Sequence, residues 1–366
     1  MSDEVRAALA AVIEGRSLDF EEAHRAMGAV MDGEATQAQL AALLVALRMR
    51  GETVEELAGF ATAMRDRVLR VEAPVGTIDV VGTGGDGSGT FNISTAAALV
   101  VAAAGVPVAK HGNRAITSRS GSADVLDALG VRIDHDAESA AGELREHGFA
   151  FLFAPGFHPA MRHAGPTRRE IGVRTAFNLL GPLTNPAGAT RAVVGMGDAA
   201  AAPRIAEVAR ALGTERTFVV HGAGVDELPL DGTGMLYDVS PVGVSVASID
   251  PDAVGLPRAA TSDLAGGTAL ENAAMIEGIF AGEAGPRRDV VLLNAGAALL
   301  VAGKAVDLAE GVHLARTTLE SGGPIELLAR LRASRAMHEA KPTGEAGSAA
   351  SAPVQAAGAA SAGKPA

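Results

Sequence analysis

The 366-residue chain has no cysteine and no tryptophan, one tyrosine and ten phenylalanines. Without cysteine there is no disulfide, no thiolate metal site and no cysteine nucleophile, and such a composition suits a reducing compartment. Aromatics make up only 3% of the residues, so Ala, Val and Leu must fill the interior. The 48% hydrophobic and 20% charged content is that of a globular chain with room for two domains. Positive charge is also scarce. With 31 Lys and Arg against 43 Asp and Glu, the formal net charge is −12, the reverse of the basic footprint of a nucleic-acid binder. The opening MSDEVRAALAAVIEG has neither the basic nor the apolar region of a secretory signal. The best apolar stretch, VVLLNAGAALLVAG from Val290, is too short for a bilayer and carries Asn and Gly, so it reads as a buried helix. The expectation is a cytoplasmic protein with no membrane and no nucleic-acid partner.

What is present divides the chain in two. The first seventy or so residues read as helical: Asp19 with Glu22, Thr36 with Gln39, and Thr53 with Glu56 have capping-box spacing, and LAALLVALRMRG runs to a stop at Gly51. After VEAPVG the pattern changes. The runs IDVV, VPVAK, FAFLFAP, RAVVGMG and RTFVVHG read as strands, alternating with helix candidates such as SADVLDALG and APRIAEVARALG. That alternation predicts an α/β domain with a mainly parallel sheet, whose ligands sit beyond the carboxyl ends of the strands. From Lys341 the chain is Ala, Gly, Ser and Pro with almost no large apolar residue, and reads as a disordered tail.

Four loops at strand ends carry the chemistry. In DVVGTGGDGSGTFNIST, Gly82, Gly84 and Gly85 allow close backbone approach to an anion at a helix start, yet match neither the Walker loop nor the dinucleotide fingerprint. Asp86 followed by Thr90, Asn92, Ser94 and Thr95 points to a metal ion or a sugar hydroxyl beside that anion. In VAKHGNRAITSRSGSADVLDALG, the charges of Lys110 and Arg114, with His111, Asn113, Ser118, Ser120 and Ser122, suit a polyanion such as pyrophosphate. Ser120 or Ser122 is also placed to cap the following helix. In VVHGAGVDELPLDG, the adjacent Asp226 and Glu227 fall on a loop where they can serve hard cations. In FHPAMRHAGPTRREIGVRTAFNLLGPLTNP, Arg162, Arg168, Arg169 and Arg174 surround a short helix beside His158 and His163, and one of these arginines can face a carboxylate.

Taken together, GTGGD…TFNIST, KHGNR…SGSADVLDALG, RREIGVRTAFNLLGPLTNPAG and VDEL resemble the anthranilate phosphoribosyltransferase family, in its order, from about Leu43 to about Arg330. The resemblance implies a small all-helical domain (residues 1–73, with 164–188 contributing) and a larger α/β domain (74–163 and 189–340), ahead of the tail at 341–366. It implies a homodimer packed through the helical domain, and the joining of anthranilate to 5-phosphoribosyl 1-diphosphate (PRPP) with Mg²⁺ and release of pyrophosphate. Gly82, Gly85, Asp86, Thr90, Asn92, Ile93, Ser94 and Thr95 match PRPP contacts. So do Lys110, His111, Gly112, Asn113, Arg114, Ala115, Ile116, Thr117, Ser118 and Ser122. Gly82, Asn113 and Arg168 match anthranilate contacts, and Ser94, Asp226 and Glu227 match magnesium ligands. His111 is the nearest group to accept the amine proton. The alternatives are a pyrimidine nucleoside phosphorylase, which has a different glycine-serine motif where this chain has KHGNR, and a nucleic-acid-binding relative without transferase activity, which needs a basic surface. A fused glutamine amidotransferase needs a cysteine that is absent.

Overall fold

Four helices open the chain: α1 (Asp3–Ile13), α2 (Phe20–Met31), α3 (Gln37–Arg50) and α4 (Val54–Arg65). The last three start where the sequence predicts. Asp19, Thr36 and Thr53 each accept a hydrogen bond from the amide three residues on, and the side chains of Glu22, Gln39 and Glu56 accept one from the cap residue's own amide. Each box satisfies donors that a helix start leaves without an intrahelical partner. α3 stops at Gly51, whose φ of +92° favours glycine. The computed structural model describes residues 1–84, 87–115 and 119–340. Gly85, Asp86, Ile116, Thr117, Ser118 and the 341–366 tail therefore lie outside the described residues.

From residue 78, strand and helix alternate: β1 (Ile78–Gly82), α5 (Ile93–Ala103), β2 (Val108–Gly112), α6 (Ser122–Ala128), α7 (Ala137–His147) and β3 (Phe149–Phe153). Three short helices, α8 (Ala154–Phe157), α9 (Gly165–Ile171) and α10 (Phe177–Leu180), precede β4 (Arg191–Gly195), α11 (Ala202–Ala211) and β5 (Arg216–His221). The hairpin β6 (Gly234–Ser240) and β7 (Gly243–Ile249) leads into α12 (Ala269–Phe280), α13 (Pro286–Val301), α14 (Leu308–Glu320) and α15 (Gly323–Glu339).

These strands form one sheet in the order β3-β2-β1-β4-β5-β6-β7. The first five are parallel and lie in the five predicted runs, while the hairpin is antiparallel. Nothing in the sequence pattern anticipates the hairpin. It forms an edge that no apolar run marks, with four successive exposed positions in β7. One sheet face packs Ile78, Val80, Val193 and Phe218 against α5 and α12–α15. Val194 and Val219 on the other face share a core with α1–α4, α11 and Ala164, Ala176, Phe177, Leu180 and Leu183. The VVLLNAG run is buried within α13, and among the described residues no helix is long and apolar enough to cross a membrane.

The chain connects the helical core with the strands of the sheet at three places, in the segments 66–77, 154–164 and 184–190. The first is laced to the other two by backbone hydrogen bonds: the Leu69 amide donates to the Phe157 carbonyl at 2.9 Å and the Val71 amide to Pro186 at 3.1 Å. After β1 the chain builds β2 and β3 on one side, then returns to build β4 and β5 on the other. The switch point between the carboxyl ends of β1 and β4 is where open α/β sheets hold ligands.

Candidate active site

β1 ends at Gly82 and β4 at Gly195, and both are glycine for a steric reason. A Cβ on Gly82 would overlap the Asp226 carboxylate, and one on Gly195 would overlap the Asp226 main-chain carbonyl. The loop after β5 thus lies directly on the two strand ends. Asp226 Oδ2 accepts a hydrogen bond from the Gly84 amide at 2.8 Å, which ties this loop to the glycine turn. Asp226 and Glu227 are buried, and with Ser94 in the first turn of α5 they line a small cavity walled by Val80, Val81, Val193 and Val220. Asn294 of α13 braces the loop from behind: it accepts from the Leu228 amide and donates to the Leu228 carbonyl, both at 3.0 Å. Three candidates from stretches up to 133 residues apart, Ser94, Asp226 and Glu227, therefore meet. Two carboxylates and a hydroxyl are hard oxygen donors that fit Mg²⁺. Among the described residues no third acidic or imidazole group joins them, which leaves coordination positions for substrate oxygens and water.

Lys110 touches two residues of the cavity wall, Val80 and Ser94. Its side chain is buried, and Nζ donates to the Val80 carbonyl at 2.5 Å and to Ser94 Oγ at 3.4 Å. Burial pushes its ammonium down to about 8, opposed by the negative charges of Asp79, Glu227 and Asp226. Its neighbour His111 is buried as well, with Nδ1 at 3.2 Å from the Gly181 carbonyl. That acceptor assigns the ring proton to Nδ1 and leaves Nε2, which has no partner among the described residues, with a lone pair. The His111 ring lies 5.0 Å from that of His158. Burial, and then the neighbouring His158, push His111 down to about 3; burial takes His158 to about 4. Both imidazoles are neutral at physiological pH.

Around this centre the remaining candidates divide. α5 begins at Asn92 with no side-chain cap, and the Ile93 and Thr95 amides turn back to the Phe91 (2.7 Å) and Asn92 (3.2 Å) carbonyls. Asn92 is itself held between the Ser120 carbonyl (3.3 Å) and Asn272 (2.9 Å). Ile93 and Thr95 are buried in the same helix, and Thr90 pairs with Ala265. The 264–272 segment, which lies outside the four loops that carry the chemistry in the sequence, thus closes the far side of the glycine turn. Gly112 has no room for a Cβ against Ser122 Oγ. In the turn that follows, Arg114 is engaged by Asp124 at 2.8 Å and Asp127 at 3.3 Å, while Asp124 also accepts from the Ala115 and Gly121 amides. The Asn113 carbonyl takes the Ala123 amide at 3.2 Å. Neither Ser120 nor Ser122 caps α6. The cap is Gly121, because a Cβ there would run into the crossing backbone of 113–115.

The arginine-rich segment reaches the site from the helical side. Arg174 Nη1 donates to the Gly84 carbonyl at 2.8 Å. Arg168, on α9, is half-buried with its guanidinium 4.9 Å from the Phe177 ring centre. Burial lowers its pKa and no carboxylate pairs with it among the described residues. Arg169 is exposed.

Both parts of the chain match known proteins. Residues 6–68 match the helical bundle domain of the glycosyl transferase family, and residues 75–325 match its a/b domain. Anthranilate phosphoribosyltransferase from Xanthobacter autotrophicus is 51% identical over 321 residues, 87% of this chain and 93% of that protein. The enzyme of that name from Thermomicrobium roseum is 51% identical over 90% of this chain and 97% of its own. The crystal structure of anthranilate phosphoribosyltransferase from Thermus thermophilus superposes with a TM-score of 0.86 at 48% identity, over 90% of this chain and 99% of that one. The Saccharomyces cerevisiae enzyme, solved in complex with PRPP and Mg, gives 0.84 at 26% identity over 92% and 99%. The resemblance carried by the four loops extends over both matched domains, and the chain belongs to the anthranilate phosphoribosyltransferase family.

Proposed function

We propose that this chain transfers the 5-phosphoribosyl group of PRPP to the amine of anthranilate and releases pyrophosphate, with Ser94, Asp226 and Glu227 holding Mg²⁺. What carries the reading is the meeting of Ser94, Lys110, Asp226 and Glu227 at the β1/β4 switch point, in a chain of this family. Bound there, Mg²⁺ would neutralise charge on the departing pyrophosphate. Lys110 places a fixed positive charge at the same spot, in a site where burial strengthens it. Gly82, Thr90, Asn92, Ile93, Thr95 and the 110–115 turn with Ser122 surround PRPP through amides, amide side chains and hydroxyls, together with Gly85, Asp86, Ile116, Thr117 and Ser118. Arg114, paired within its own turn to Asp124 and Asp127, shapes that turn around the ligand.

Arg168 offers its half-buried guanidinium to the anthranilate carboxylate, and Asn113 and Gly82 border the same ligand. Charge on the leaving group met by Mg²⁺ and Lys110, with the amine held in line with the anomeric carbon, supplies most of the catalysis. An aromatic amine is already nucleophilic, and once it bonds to carbon its proton is acidic enough for a weak base. The lone pair on His111 Nε2 suits that role. Residues 1–73 with 164–188 act as one unit against 74–163 with 189–340. Two copies associate through the helical unit, where Ile13, Val45 and Met49 are exposed. A cytoplasmic location agrees with this chemistry. The test is the loss of anthranilate fluorescence on adding PRPP and Mg²⁺, abolished by a chelator. Turnover of thymidine with phosphate instead would overturn the reading.

A further inference from the structure

Asp79 is a buried carboxylate with no place in the chemistry just described. It follows Ile78 in β1, is 1% exposed, and points away from the core that holds its neighbours Ile78 and Val80. Ionised groups are rarely left in such a place without partners, because desolvation costs several kcal/mol. Here the partners are specific. Asp79 Oδ2 accepts from Asn185 Nδ2 at 2.7 Å, and Oδ1 accepts from the His111 amide at 3.3 Å. Asn185 is buried too, and its orientation is fixed from both ends: Nδ2 also donates to the Ala109 carbonyl and Oδ1 accepts from the Ala187 amide, each at 2.8 Å. Burial drives the Asp79 carboxyl up to about 6, and the Lys110 ammonium is the strongest influence pulling it back.

The two residues behind this carboxylate belong to opposite sides of the reaction. Lys110 reaches Ser94, which lines the cavity of the acidic pair. His111 faces the 181–184 segment and packs against His158 with the two rings tilted at 42°. Asn185 lies in the third connection between the helical core and the sheet, one residue before Pro186, which accepts from Val71 in the first. We infer that Asp79 and Asn185 are positioning residues of the transfer reaction: the Asp79 carboxylate on β1 takes the His111 amide of β2 on one oxygen and Asn185 on the other, which ties β2 to the third connection, so that the donor side at Lys110 and the acceptor side at His111 keep one alignment.

The inference rests on the proposed transferase reading and deepens it. Each half of the site keeps its own ligand contacts when the pin is removed, so the loss falls on alignment and hence on kcat. The experiment uses full-length Asp79→Asn, Asn185→Ala and the double variant, checked by circular dichroism and gel filtration, with initial rates from anthranilate fluorescence. Asparagine at 79 can accept from Asn185 or from His111 but not from both. Each single variant should lower kcat at least tenfold with both KM values within about threefold, and the double variant should be no slower than the worse single one. Should Asp79→Asn not fold, Asn185→Ala and a further variant, Asn185→Ser, carry the same split. A lowered Tm with unchanged kcat per folded molecule would make the pair structural only and overturn the inference, as would losses that multiply in the double variant. If the wild type itself leaves anthranilate unconsumed, the transferase reading fails instead.

Discussion

At the scale of single residues, the site separates types that the sequence could name from relations it could not. Asp226 and Glu227 stood out as adjacent acids on a loop, but their seat against Gly82 and Gly195 depends on strands far away in the chain. Asp226→Asn with Glu227→Gln should leave the fold intact and lower turnover sharply at limiting Mg²⁺; magnesium dependence measured in the variant that matched wild type would remove them as ligands. Two adjacent arginines were indistinguishable by pattern. The structure half-buries Arg168 against Phe177 and leaves Arg169 in solvent. Arg168→Ala should therefore raise the KM for anthranilate about tenfold or more, from the loss of one charge-assisted pair, with little change for PRPP, and Arg169→Ala should change neither by more than about twofold. Lys110 was legible as a cation for phosphate. Its burial, and the buried carboxylate of Asp79 beside it, were not, because a charged residue inside a short apolar strand shows no sign of what it faces.

At the scale of elements, local chemistry was readable wherever a few neighbouring residues decide the structure. The three capping boxes formed as spaced, and all five parallel strands fell in apolar runs. The β6–β7 hairpin did not announce itself, since its half-exposed edge alternates too weakly to separate from loop. One box does more than start a helix. The Glu56 carboxylate, completely buried, accepts from the Thr53 and Leu18 amides at 2.8 Å each and pairs with Arg50, so it joins α4, α3 and the α1–α2 turn. Glu56→Ala should lower the unfolding free energy by about 3 kcal/mol, as for other buried pairs that lose one member, measured by urea denaturation. A loss below about 1 kcal/mol would reduce it to an ordinary cap.

At the scale of the whole molecule, the sheet order and the cores on its two faces explain why chemistry collects at one place: the strand switch point, the start of α5 and the arginine-rich segment all open on it. The helical core carries large apolar side chains in solvent. Ile13 and Met49 are 70% and 83% exposed, and Met49→Asp should convert a dimer to a monomer in light scattering. A wild type that is monomeric at micromolar concentration would remove the proposed interface. The laced connections carry a consequence for synthesis. The N-terminal helices leave the ribosome first, yet their apolar faces are completed by Ala164, Phe177 and Leu183 and by the α11 residues Ile205 and Val208. During translation the first seventy residues must therefore wait, partly exposed, through well over a hundred more before their interior closes, which makes the nascent helical half the stage of this protein's life most in need of a chaperone.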